Sequence, residues 1–149
     1  MITDLLQGVV LGLNIATAHF PHHPWQNGVN PGVYAEAEGG WAVGAYLNTQ
    51  DRWSVWGGKS FTRGPFKLTL GAVTGYQRRT RPADCASIGM PLAARCTWTD
   101  GSTGAVLAPL VAPSVALPEV MGATPRLTLL LRKGGESSYA LHLSVEHKF

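Results

Sequence analysis

The sequence predicts an all-β protein, an antiparallel up-and-down β-barrel of about eight strands formed by residues 1–149 as a single domain. Three observations predict it. Apolar residues alternate with small or polar residues along most of the chain, the period of a strand with two unlike faces. Turn residues fall between the alternating runs. The composition combines 18 Gly and 5 Trp with only 14% charged residues, against about 25% in ordinary soluble domains.

The alternation is clearest in three runs. Trp41, Val43, Ala45 and Leu47 interleave with Ala42, Gly44, Tyr46 and Asn48. Phe66, Leu68, Leu70 and Ala72 interleave with Lys67, Thr69, Gly71 and Val73. Tyr139, Leu141, Leu143, Val145, His147 and Phe149 interleave with Ala140, His142, Ser144, Glu146 and Lys148. Gly39-Gly40, Asp51-Arg52, Arg63-Gly64-Pro65 and Gly134-Gly135 supply turn chemistry between runs. The expected strands are 9–18, 31–38, 41–49, 53–61, 66–76, 105–117, 124–132 and 138–149. Helical periodicity is absent apart from a turn or two before Leu13. Two connections are long. One is 19–30, with His19, His22 and His23; the other is 77–104, with an arginine cluster and both cysteines.

A meander of eight strands closes well, because closure removes exposed edges. Strands of about 9–11 residues suit a tilted crossing of a bilayer. With Trp, Val, Leu, Phe and Ile outside and Gly, Ala, Ser, Thr, Tyr and Asn inside, the pattern is that of a transmembrane barrel. The soluble alternative is a lipocalin-like or sandwich domain with the apolar set turned inward. The low charge favours the membrane. Trp41, Trp53 and Trp56 then read as an interfacial girdle or as core. No run approaches the ~20 apolar residues of a spanning helix.

The formal charge of +3 is too small to indicate nucleic acid, and no stacking platform with interleaved basic residues appears. Arg78, Arg79 and Arg81 form a local cluster that reads as a solvated loop or as a contact for anionic headgroups. The histidines of 19–23 lie beside Pro21 and Pro24 with no carboxylate or thiol, and no metal site is expected of them. No phosphate-cradling Gly loop is present, and no cofactor is expected. Inward parity places Glu36 and Glu38 on one strand and His142 and Glu146 on another. These read as a polar interior network, or as an acid–base pair in which a Glu orients His142.

In order of features, the chain resembles the outer-membrane lipid A palmitoyltransferase family. The resemblance rests on the run from Trp41 to Phe61, on GPFKLTLGAVTGYQ, on the proline-interrupted VLAPLVAPS, and on a last strand ending in Phe149. It implies an eight-stranded barrel with a lipid-holding interior, moving an acyl chain from a phospholipid to lipopolysaccharide. Pro109 and Pro113 predict a break in strand pairing, which the family uses to admit lipid sideways. The family's catalytic His falls near His19, and its adjacent Asp-Ser pair falls at Asn48-Thr49. Thr49 keeps a hydroxyl, whereas Asn48 lacks the carboxylate. The implied location is the outer membrane. The alternative is a non-catalytic binding or structural barrel, phage-encoded or part of a larger assembly, soluble or virion-associated, because the N-terminus does not read as a signal peptide.

Cys85 and Cys96 share one segment, where a bridge is geometrically easy and implies an oxidising compartment; free thiols in a reducing one are the alternative. If bridged, neither residue takes up alkylating reagent until reductant is added, and losing the bridge costs about 3 kcal/mol in the chain-entropy account. Alkylation of both thiols in native, unreduced protein gives the opposite answer.

Overall fold

The computed structural model describes residues 7–20, 28–49, 52–76, 79–80, 99–100, 106–131 and 139–149. Cys85, Cys96, Arg78, Arg81, His22 and His23 lie outside them. The fold is all-β. Eight antiparallel strands close into a barrel: β1 (Val10–Phe20), β2 (Val29–Glu36), β3 (Trp41–Leu47), β4 (Trp53–Arg63), β5 (Phe66–Tyr76), β8 (Val106–Ala116), β9 (Thr124–Leu131) and β10 (Tyr139–Lys148). Each barrel strand pairs with its successor, and β1 closes on β10. A two-stranded ribbon, β6 (Arg79–Thr80) with β7 (Thr99–Asp100), lies in the connection between β5 and β8. Residues Val10 to Leu13, where the sequence suggested a helical turn, belong to β1.

Short turns close one mouth, called lower here. At Gly64-Pro65 the two-residue loop puts Gly64 at φ 59°. Proline fixes the next φ near −65°, so the pair suits a II′ turn. Between β8 and β9, Met121 and Gly122 both have positive φ, 52° and 78°, the signature of a I′ turn. The opposite, upper mouth receives the connections 21–28, 48–52, 77–105 and 132–138.

The barrel is apolar outside and polar inside. Among the described residues the buried hydrophobics are Ala42, Val73, Ala112 and Ala140, all small, whereas Asn30, Glu36, Asn48, Ser54, Lys67, Arg126, Ser144 and Glu146 are buried. Leu13, Val33, Val43, Val55, Leu70 and Val111 are exposed around the middle of the wall. Exposed aromatics mark both ends: Phe20, Trp53 and Tyr139 above, and Trp41, Phe61, Phe66 and Phe149 below. Trp41 and Trp53 therefore face outward, while Trp56 faces the lumen.

Two irregularities shape the wall. In β1 the register shifts between Asn14 and Ala16, a bulge that leaves Ile15 unpaired. It resets the strand's parity, so Gly12 and Asn14 face inward below it and Thr17 and His19 above it. The second irregularity is the β8–β9 seam, which pairs only over Ser114–Ala116 with Arg126–Thr128, although β8 pairs with β5 up to Val106. Along β8, Ala116 N donates to Pro65 O on the β5 side and Leu117 N donates to Pro125 O on the β9 side. Odd-numbered residues therefore direct their backbone groups at β9. Pro113 and Pro109 are odd and have no N–H to give. The predicted break in pairing falls at this seam.

Near the lower mouth Lys67 Nζ donates to Glu36 Oε2 at 2.9 Å and to Glu146 Oε1 at 2.8 Å, with 5% of its side chain exposed. Removing one partner of a buried ion pair strands the others. Lys67→Met is expected to lower barrel stability by about 3–5 kcal/mol, read from urea unfolding in detergent micelles. Adding Glu36→Gln to that variant recovers part of the loss; a single variant as stable as wild type would show that the network contributes nothing.

Candidate functional site

The lumen is built in tiers. The lowest holds two cations and two carboxylates. Glu146 accepts Lys67 through Oε1 and pairs Arg126 Nε through Oε2 at 2.9 Å. Tyr34 Oη donates to the same Oε1 at 2.7 Å. Arg126 also reaches Ser114 Oγ at 3.1 Å. Charge balance and shared hydrogen bonds let these groups lie away from water. Beneath them a polar vestibule of about 320 Å³ opens toward the lower mouth, bounded by Glu38, Thr62 and Lys148.

Above the ion tier the rings of Tyr34 and Trp56 lie 5.8 Å apart, tilted by 52°. Each ring needs a glycine beneath it. A Cβ on Gly12 would run into the Tyr34 ring, and one on Gly44 would run into the Trp56 indole. The narrow barrel thus spends backbone positions on making room for aromatics.

A cavity of about 110 Å³ runs through the lumen from the ion tier to the upper mouth, well below the ~300–1,000 Å³ of typical small-molecule pockets. Val73, Leu110, Ala112 and Leu130 form an apolar side next to the β8–β9 seam, and Asn14, Thr17, Asn30 and His142 form a polar side. His19 and Thr49, the imidazole and hydroxyl that the resemblance assigned, are both among the residues that line the cavity.

Asn48 has a different environment. It is fully buried, and its amide nitrogen donates to Ser54 Oγ at 2.9 Å and to Gly75 O at 3.1 Å. Its Oδ1 accepts from Arg52 N at 3.2 Å, and its own N–H donates to Arg52 O at 2.7 Å. These bonds brace the end of β3 against β4 and β5. Arg79 is placed by its backbone in β6, within the upper connection.

The polar side contains a relay that inward parity alone did not find. Thr17 Oγ1 lies 2.8 Å from His142 Nδ1, and His142 Nε2 lies 3.0 Å from Asn14 Oδ1. Asn14 therefore orients His142, in place of the expected Glu; Glu146 is committed to the ion tier below. Period-two counting puts Asn14 and Thr17 on opposite faces, and only the bulge at Ile15 brings both inside. Lys67 and Arg126 had a usable signal, as charged residues on the inward parity of otherwise apolar runs. Asn30 is 1% exposed. It donates to Leu47 O at 3.0 Å, while its Oδ1 is buried without a hydrogen-bond partner.

The architecture defines a class, a small closed barrel with an apolar coat and a polar, partly hollow lumen. No family model, curated protein or solved structure matches the chain. Among the described residues no group of three metal-ligating side chains comes together.

Asn48→Asp would supply the acidic residue that the resemblance implies, yet a carboxylate cannot donate to Gly75 O. The substitution is expected to cost about 1–3 kcal/mol through the lost buried bond, measured as a lower urea midpoint in micelles. An unchanged midpoint would refute the bracing role.

Proposed function

We propose that this chain is a membrane-embedded barrel that takes the acyl chain of a phospholipid into its upper lumen and transfers it to lipopolysaccharide, an acyltransferase in the manner of the lipid A palmitoyltransferases. The observation that carries the reading is the inverted distribution of polarity. A belt of exposed leucines and valines between two aromatic girdles matches a bilayer's hydrocarbon core and its interfaces. In water the same belt would be a large apolar patch.

The other features fit this use of the fold. The seam beside Leu110 and Leu130 offers a sideways path for an alkyl chain between the wall and the cavity. The ion tier seals the lower end, so a chain enters to a set depth. The cavity takes part of one chain, and the headgroup stays outside, beyond the upper mouth. His19 and Thr49, for which the resemblance implies the base and the hydroxyl, line the same cavity. The location that suits these substrates is an outer membrane.

The test is transfer of radiolabelled acyl chain from phosphatidylcholine to lipopolysaccharide by the full chain in mixed micelles. Label is expected in the lipopolysaccharide, and His19→Ala and Thr49→Ala each reduce it at least ten-fold while the barrel still folds. Absence of transfer by the wild-type protein would leave the non-catalytic binding or structural barrel as the reading.

A further inference from the structure

The relay of Thr17, His142 and Asn14 carries more chemistry than a satisfied buried contact requires. An amide oxygen only accepts hydrogen bonds. With Asn14 Oδ1 at 3.0 Å, His142 Nε2 must carry the proton of that bond. In the neutral ring Nδ1 is then a lone pair, and Thr17 Oγ1, 2.8 Å away, donates its hydrogen to it. A hydroxyl donating to an imidazole whose other nitrogen is held by a third group is the arrangement that activates a nucleophile. The pair Ser60 Oγ and Thr69 Oγ1, 2.9 Å apart on β4 and β5, shows the contrast: it satisfies two buried hydroxyls and contains no base.

Position supports the same conclusion. Thr17 and His142 are direct cross-strand partners on β1 and β10, and Thr128 is the partner of His142 on its other side. Thr128 is also the uppermost residue of β9 that pairs with β8. The open seam therefore begins at the level of the imidazole, one strand away. Thr17 and His142 line the cavity, as does Asn30 with its unpartnered, buried Oδ1.

We propose that Thr17 is the acyl-accepting nucleophile, with His142 as its base and Asn14 fixing the ring's tautomer, acting on a carboxylic ester of an aliphatic chain. This rests on the acyl-transfer reading but assigns the covalent step to a different hydroxyl from Thr49. Thr17 Oγ1 bonds to the ester carbonyl carbon, and its proton passes to His142 Nδ1. Collapse breaks the bond to the alcohol oxygen, which takes that proton and leaves. The acyl group remains as an ester on Thr17. In the second half the acceptor's hydroxyl gives its proton to Nδ1 and attacks the acyl carbon. The bond to Thr17 breaks, and Thr17 regains the proton. Thr49 and His19, nearer the mouth, then serve passage of the alcohol.

The experiment uses the full chain folded in micelles with 4-nitrophenyl hexanoate, alongside the phosphatidylcholine transfer assay. Nitrophenolate release is followed by light absorption, and acid-quenched protein is mapped by peptide mass. One hexanoyl adduct is expected on the peptide containing Thr17. Thr17→Val and His142→Gln are expected to slow release at least 100-fold, within the range a general base supplies, while Thr17→Ser stays within ten-fold of wild type. An adduct on Thr49, or a Thr17→Val protein that transfers phospholipid acyl chains at the wild-type rate, overturns this proposal and leaves the transfer reading intact. A wild-type protein that neither transfers nor forms an adduct overturns both. Should Thr17→Val fail to fold, the site of the wild-type adduct decides by itself.

Discussion

Charged groups, not hydrocarbon, fill the lumen of this eight-stranded barrel just above its lower vestibule. That choice binds every member to the others. Glu146 reaches the cations of β5 and β9 and the phenol of β2 from its own place on β10, and Lys67 ties in Glu36. Withdrawing Lys67 leaves Glu36 without its cation, and withdrawing Glu146 leaves Arg126 without its carboxylate. The tier therefore fixes the relation of four strands across the lumen and defines the floor from which the cavity rises. Tyr34 links the floor to what lies above, since its hydroxyl is held by Glu146 while its ring packs against Trp56 over Gly12.

Little apolar surface is buried inside the barrel, so the usual hydrophobic core contributes less here than in a soluble domain. Closure of the backbone ladders and the polar lumen carry the fold instead. The one long unpaired stretch of wall, between upper β8 and upper β9, lies beside the most apolar part of the lumen. Opening the wall there exposes leucines rather than charges.

Much of this was legible in residue order. Alternation located all eight strands within a few residues, since inward and outward sets differ sharply in polarity. Pro109 and Pro113 announced the weak seam, because a missing donor has the same effect in any sheet. Glu36, His142 and Glu146 fell on the inward face as parity requires. The turn at Asn48 and the side-chain partners of the interior were less legible. Asn48 occupies a position that suggested chemistry, but its amide serves Ser54 and Gly75, and no local pattern reveals a partner 27 residues away. Lys67 and Arg126 stood out by parity but not by pairing, which depends on the order in which strands meet around the barrel.

Strand sequences have a reading frame of two, and the bulge at Ile15 is a frameshift. Below it the even-numbered residues of β1 are interior; above it the odd-numbered ones are. Any ungapped comparison of this segment with an unbulged strand will be correct on one side of Ile15 and inverted on the other, matching lumen residues to outward ones. The same arithmetic says what the extra residue does. Deleting Ile15 alone would preserve composition and hydropathy almost unchanged and would restore strict alternation with Asn14 and Thr17 both inside, whereas keeping Ile15 in a flat, unbulged strand would rotate one of the two to the outside. A chain of this kind diverges in its alignment faster than in its shape.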